Sequence, residues 1–203
     1  MSNITQASVF VVSGGAKGIT ARCVERLAAH YGCTFILLGR STHDSNDPAW
    51  AQGIDDEAAL KKAAMGDLQA RGEKPTPMAV NKMAGRVLSQ REISGTLAEI
   101  QRVGGTAEYM SVDITDADAV KTALQTATSK YGRINGIIHG AGVLADKLIE
   151  NKTEQDFEMV YATKVQGLEN LLNAVDALDA LVLFSSVAGF YGNVGQADYA
   201  VAN

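Results

Sequence analysis

At 203 residues the chain is long enough for one domain with a real hydrophobic core, and one domain is the default expectation. Its composition, 46% hydrophobic and 20% charged with 20 glycines and 3 prolines, excludes a disordered or fibrous protein. A net charge of -5 without any Lys/Arg-rich run argues against nucleic acid as the main partner. The apolar runs are strand-sized, so no segment is expected to span a membrane. Met1 to Gln6 lacks the basic and apolar regions of a signal peptide, which makes a cytoplasmic location the simplest expectation. Cys23 and Cys33 have neither CxxC spacing nor His partners, and both are expected to be buried structural thiols.

Ala7 to Ser13 (ASVFVVS) is a continuous apolar run that ends at Gly14-Gly15, as a strand covered on both faces would. Ile19, Cys23, Val24, Leu27, Ala28 and Tyr31 then recur at helical spacing, and Gly32 stops the pattern. Cys33 to Gly39 (CTFILLG) reads as a second buried strand, which completes a βαβ unit. Further on, Glu108 to Val112 predicts a strand, Asp116 to Tyr131 a helix, and Gly136 to His139 another short strand. A helix beginning near Thr153 carries Phe157, Val160, Leu168, Leu171 and Val175, and Ala180 to Ser185 is the next strand. Strands alternating with helices predict an α/β fold, a Rossmann-like doubly wound parallel sheet.

Between Gly39 and Glu108 the chain is longer than one crossover needs. Ser41 to Gly53 reads as a loop, Asp55 to Ala70 as a helix, and Thr76-Pro77 as the start of another that runs to Val103 with a bend at Gly95. We read residues 42–95 as a helical insertion packed on one edge, with partner docking as its functional alternative.

Ser13-Gly14-Gly15-Ala16-Lys17-Gly18-Ile19-Thr20 lies between the first strand and the first helix. Glycines there let the backbone approach a pyrophosphate while the helix N-terminus stabilises its charge; the bland alternative is a plain βα turn. The second strand ends in Gly39-Arg40-Ser41, where an acid would bind a ribose 2′-hydroxyl. Arg40, helped by Ser41 and Lys17, suits a 2′-phosphate instead, so NADPH is expected over NADH. Asp113 and Ile114 follow the third strand at the sheet's carboxyl edge, and we expect a cofactor contact there rather than a helix cap, because Thr115 and Asp116 can cap. After the fourth strand, Gly140, Ala141 and Gly142 again let backbone approach a ligand, while His139 is read as structural.

Lys164 falls on the apolar stripe of its helix, where a cation is costly unless paired or used; snorkelling past the sheet edge is the alternative. After the fifth strand come Ser185-Ser186, then Tyr199 and Asn203 on one face of a new helix. Ser186, Tyr199, Lys164 and Asn203 can thus converge beside the cofactor.

With these residues the chain resembles the short-chain dehydrogenase/reductases, and within them the ketoreductase domains of polyketide and polyunsaturated fatty acid synthases. The resemblance covers almost the whole chain: GGAKGIT, LLGRS, HGAGVLAD, KVQGLENLL and LFSSVAGFYGNVGQADYAVAN are similar to the polyunsaturated fatty acid synthase type. Tyr199-Ala200-Val201-Ala202-Asn203 ends in Asn where the wider family has Lys, and the preceding helix supplies Lys164, an exchange typical of synthase ketoreductases. The resemblance implies that Tyr199 donates a proton to a β-keto oxygen as NADPH delivers hydride, and that Ser186 hydrogen-bonds that oxygen. It implies that Lys164 holds the nicotinamide ribose and eases proton loss from the tyrosine, and that Asn203 orients the lysine or a water. The implied substrate is a β-ketoacyl chain on the phosphopantetheine of an acyl carrier protein, and the implied partners are other domains of the same synthase.

Leu144-Ala145-Asp146 is similar to the Leu-Asp-Asp motif of reductases that yield the 3R alcohol, and Tyr191 stands where the opposite class has Trp. Thr20 replaces the third glycine of the wider family's fingerprint, so helix and strand are expected to sit further apart there. Against the family pattern the sheet is C-terminally incomplete, so the 203 residues are expected to be part of a larger synthase and weakly active or inactive alone. Two rival readings are a non-catalytic nucleotide-binding module, which Ser186, Tyr199 and Lys164 oppose, and a reductase of a free small ketone, which the exchanged Lys and Asn oppose.

Overall fold

Consecutive apolar residues become central strands because both faces of the sheet are covered. In the computed structural model, which describes residues 4–203, these are β1 (Val9–Ser13), β2 (Thr34–Gly39) and β4 (Gly136–His139). Residues 1–3, the start of the stretch read as having no leader, lie outside the described residues. With β3 (Thr106–Ser111) and β5 (Ala180–Leu183) they form a five-stranded sheet of order β3-β2-β1-β4-β5, parallel throughout. The chain starts at the centre, moves outward through β2 to β3, then returns to the other side of β1. That reversal opens a crevice at the carboxyl ends of β1 and β4, the place where ligands gather in such sheets.

The chain folds as two compact units, one comprising the residues up to Arg40 together with Thr96–Asn203, the other Ser41–Gly95. In the first, alternate residues of three strands (Val9 and Val11, Ile36 and Leu38, Ile137) point to one face. There they pack on Val120, Leu124 and Ala127 of helix α4 (Ala117–Tyr131) and on Leu171 of helix α6 (Gly167–Asn173). Each fully buried aliphatic side chain of this kind stabilises the fold by about 1.5–3 kcal/mol.

Helix α1 (Gly18–Tyr31) buries Thr20, Ala21, Val24 and Ala28. The buried stripe is therefore rotated from the expected one: Ile19 is 77% exposed and Cys23 is exposed, whereas Cys33 is buried as expected. Ile19 and Cys23 lie one turn apart on the same line of the helix, so one rotation turns both to solvent. The expected helix from Thr153 is divided. A capping box between Thr153 and Asp156 starts α5 (Glu154–Tyr161), a π-turn (Ala162–Gln166) follows, and α6 continues the chain. Val160 before this turn and Leu171 after it are both buried.

β3 begins two residues earlier than expected, because Thr106 pairs with Thr34 at the start of β2. β5 is an outer strand, and Leu181, Val182 and Leu183 are 45%, 44% and 51% exposed. Two short helices follow it, α7 (Ala188–Tyr191) and α8 (Ala197–Ala202).

The second unit has its own core, in which Ala51, Leu60, Ala84 and Val87 pack with Trp50, Ile54 and Leu88. Helix α2 (Glu57–Ala70) is capped by Asp56, and Arg91 ties the preceding loop through Asp47 (2.6 Å) and the carbonyls of Ala51 (3.0 Å) and Ile54 (2.6 Å). A cavity of about 600 Å³ lies among Trp50, Leu68, Arg71, Lys82, Met83 and Arg86. Helix α3 (Pro77–Arg102) opens at the expected Thr76 cap and is helical through Gly95. A glycine weakens a helix by only about 1 kcal/mol, and the flanking Ile93 and Ile100 are fully buried.

Candidate active site

At the end of β1 the backbone turns sharply. Gly14 has φ 66° and donates its N–H to Leu38 O (2.9 Å), and a Cβ on it would stand 2.9 Å from the Ala141 backbone. The glycine bend is thereby seated directly against the segment that follows β4. The Ala16 carbonyl accepts a hydrogen bond from the buried Thr96 hydroxyl (2.9 Å), a support that the sequence did not reveal. Gly18 has φ 61°, and a Cβ on it would meet no atom within 4 Å. Lys17 occupies the N-cap of α1, and the first turn of that helix carries no acid. A helix start of this kind, approached by glycine backbone, fits a pyrophosphate.

Gly140, whose Cβ would overlap Thr20, shows why no glycine is needed at position 20: the small residue sits across the contact instead. The buried Thr20 fills the room, and close approach is kept rather than lost. Arg40 is exposed just beyond β2. Ser41 belongs to the second unit, where its hydroxyl accepts from Ser89 (3.1 Å).

Asp113 is exposed after β3 and accepts from the Thr115 N–H (3.0 Å) and hydroxyl (2.8 Å). The backbone bond from Thr115 holds its carboxyl below the ordinary range, and the Arg40 charge adds to this. Asp116, accepting from Ala119 N–H (3.0 Å), is the cap of α4, so Asp113 is not needed for capping. The Ile114 side chain packs in the core, where it occupies the space a Cβ on Gly167 would need, and its carbonyl accepts from Asn170 (2.9 Å). Its side chain therefore serves packing.

Lys164 lies in the π-turn, 8% exposed, and burial lowers its pKa from the ordinary value. It does not snorkel. Its ammonium donates to Phe184 O (2.5 Å), just past β5 and two residues before Ser186, and its stem passes Gly142, where a Cβ would be 3.3 Å from Cε. An ammonium has three donors, and Phe184 takes one. The Ser186 hydroxyl accepts from Ala188 N–H (3.2 Å), which leaves its own hydrogen for another acceptor. His139, read as structural, joins the site from behind. Its ring lies between Ser13 Oγ (2.7 Å) and the Lys164 carbonyl (2.9 Å), so it links β1, β4 and the lysine's turn.

Tyr199 stands in α8, which Ser185 ties to the β5 end through the Asn203 carbonyl (2.7 Å). Asn203 is bonded within its own helix. Its amide donates back to Tyr199 O (2.8 Å), its buried Oδ1 has no hydrogen-bond partner, and it makes no hydrogen bond to Lys164 among the described residues.

A doubly wound parallel sheet with a glycine bend at β1, and with a buried lysine, a serine and a tyrosine around β5, defines the short-chain dehydrogenase/reductase class. Solved structures agree. An N-terminal ketoreductase from the macrolactin assembly line matches with a TM-score of 0.73 and 27% identity, over 100% of this chain and 33% of that one. A ketoreductase domain from the bacillaene assembly line matches with a TM-score of 0.70 and 28% identity, over 97% and 37%. Residues 8–203 match the model of the KR (ketoreductase) domain, and the chain belongs to that family. A polyunsaturated fatty acid synthase polypeptide of Thraustochytrium sp. is 48% identical over 209 residues, which is 98% of this chain and 7% of that protein. Polyketide synthase PksN of Bacillus subtilis is 40% identical over 123 residues, 60% of this chain and 2% of that protein. This chain therefore spans only a small part of the multidomain relatives it matches. No helix among the described residues is long and apolar enough to cross a membrane.

Proposed function

We propose that the chain is the catalytic core of an NADPH-dependent reductase that converts a β-ketoacyl thioester on an acyl carrier protein to the β-hydroxyacyl thioester, within a multidomain fatty acid or polyketide synthase. The observation that carries this reading is the buried Lys164 ammonium on the carbonyl of Phe184, between the glycine segment after β4 and Ser186. A lysine held there at the cost of burial is in use. Kinship with synthase ketoreductases supports the substrate class.

NADPH, when bound, supplies the hydride that reduces the carbonyl carbon. Gly14 and the first turn of α1 take its pyrophosphate, and Arg40 takes the 2′-phosphate. Lys164 uses its remaining donors on the nicotinamide ribose. The Ser186 O–H hydrogen-bonds the ketone oxygen, and the Tyr199 hydroxyl gives that oxygen its proton, so that hydride on carbon and proton on oxygen complete the alcohol. The exposed apolar residues of β5 support the view that these 203 residues need more of a synthase around them, and alone are weak or inactive.

The test is NADPH oxidation by the full-length protein carrying these residues, with a carrier-bound β-ketoacyl thioester and with free small ketones, beside Tyr199→Phe. The thioester is expected to be preferred and Tyr199→Phe to lose roughly 10²–10⁴-fold in kcat. Equal turnover of free ketones, or an active Tyr199→Phe, overturns the reading.

A further inference from the structure

Charged side chains are almost never fully buried unless they are paired. Beside Tyr199 two are buried together: Asp198 is 0% exposed, Lys152 is 6% exposed, and the ammonium stands 2.7 Å from Asp198 Oδ2. No other ion pair among the described residues has both partners so deeply buried. Oδ2 accepts no directed hydrogen bond, so the nearby ammonium is what offsets its charge.

Both groups have a second attachment. Lys152, between the short helical turn Ile149–Asn151 and α5, donates to Ala145 O (2.8 Å), and Asp198 Oδ1 accepts from the Tyr199 N–H (2.9 Å). Two further bonds run alongside, Lys147 N–H to Gly195 O (3.0 Å) and Gln196 Nε2 to Asp146 Oδ2 (2.9 Å). Residues 145–147 are thus stitched to residues 195–198.

These attachments fall at the start of helix α8, whose first turn contains Tyr199, so they set how that turn leaves the preceding loop. A buried ion pair is weak evidence for stability, since apolar side chains of similar volume do as well or better. What it does supply is register. We infer that Lys152 and Asp198 are positioning residues that fix the rotation of α8 and so aim the Tyr199 hydroxyl at the substrate oxygen. This rests on Tyr199 being the proton donor.

The experiment uses the full-length protein carrying these residues, with Lys152→Met/Asp198→Leu, Asp198→Asn, Lys152→Arg and Tyr199→Phe. For each, kcat and KM with a β-ketoacyl thioester, the Kd for NADPH, thermal melting and amide hydrogen exchange over residues 197–202 are measured. In the double variant, whose apolar side chains need no partner, folding and the NADPH Kd are expected to hold. Exchange in α8 is expected to rise, and kcat to fall by roughly 10- to 100-fold. Lys152→Arg, which keeps the cation, is expected to retain most of kcat.

A double variant with the parent's kcat, or one whose kcat falls only in step with NADPH affinity, overturns the inference. If the double variant does not fold, Asp198→Asn decides by the same split of kcat from Kd. A Tyr199→Phe variant as active as the parent removes the proton donor and this inference with it. An inactive Tyr199→Phe beside an unperturbed pair variant removes the inference alone.

Discussion

His139 holds the backbone of Lys164: its Nε2 lies 2.9 Å from the lysine's carbonyl oxygen. A carbonyl only accepts, so the ring carries its hydrogen on Nε2, and Nδ1 accepts from the Ser13 hydroxyl at 2.7 Å. The neutral form that this arrangement needs is also the one that burial favours, and burial pushes the His139 pKa down from 6.5 to about 4.

A pH dependence of stability follows. Between pH 6.5 and 4 the unfolded chain binds a proton at this position and the folded chain does not, so acid favours unfolding. The stability is fully present above about pH 6.5, declines as the pH falls, and levels off below the folded value, a loss of roughly 3 kcal/mol from this group. Urea unfolding at pH 7 and pH 4.5 measures it. His139→Gln keeps an amide donor but does not titrate, and its stability is expected to fall less over the same interval; an equal fall in both proteins rejects the assignment.

Two glycines are expected to respond oppositely to alanine. Gly14→Ala forces a side chain into φ 66° with its Cβ 2.9 Å from the Ala141 backbone, a cost of about 1–3 kcal/mol, and is expected to remove NADPH binding. Gly85→Ala lies mid-helix in α3, with no atom near its added Cβ, and is expected to stabilise by about 0.4–1 kcal/mol. Thermal melting with NADPH titration checks both. An unaltered affinity in Gly14→Ala tells against the cradle.

The central strands were legible because consecutive apolar residues such as Phe35, Ile36, Leu37 and Leu38 fit only a strand buried on both sides. The glycine bend and Lys164 were legible for a similar reason: each breaks a local rule, the one by chain geometry, the other by a charge on an apolar stripe. Helical periodicity was less decisive. It placed Ile19 and Cys23 on the buried line of α1, and it passed over the π-turn, since a stripe read at constant pitch cannot register a local change of pitch. Pairings across the chain were not legible at all. Thr96 meets the Ala16 carbonyl 80 residues away, and Lys152 meets Asp198, contacts that only the closed sheet and its docked helices create.

Arg40 is expected to set the cofactor preference. It is exposed after β2 and forms no ion pair among the described residues, so a phosphate there would gain a charge-assisted partner. Hydrogen bonds to charged groups contribute about 1.5–3 kcal/mol, so Arg40→Ala is expected to weaken NADPH binding by roughly 10- to 100-fold and to leave NADH nearly unaffected. Fluorescence titration with both cofactors reads this, and an unchanged preference counts against the 2′-phosphate site.

The resemblance of Leu144-Ala145-Asp146 to the Leu-Asp-Asp motif implies that, in the proposed reaction, this segment governs the stereochemical outcome. That segment is fixed at its C-terminal end: Gln196 Nε2 holds the Asp146 carboxylate (2.9 Å), and the Lys147 ammonium holds Asp156 (2.7 Å) in addition to the backbone bond to Gly195. If Tyr199 is the proton donor as proposed, a segment anchored to its helix would present one wall to the substrate, so that one face of the ketone would meet the hydride. We expect mostly the 3R alcohol. Asp146→Ala releases Gln196 and is expected to erode the product ratio more than kcat, because the proton donor keeps its other anchors while the wall loses one. Chiral chromatography of the β-hydroxyacyl product decides it: mostly 3S product from the parent protein, or a ratio untouched by Asp146→Ala, shows that this segment does not select the face.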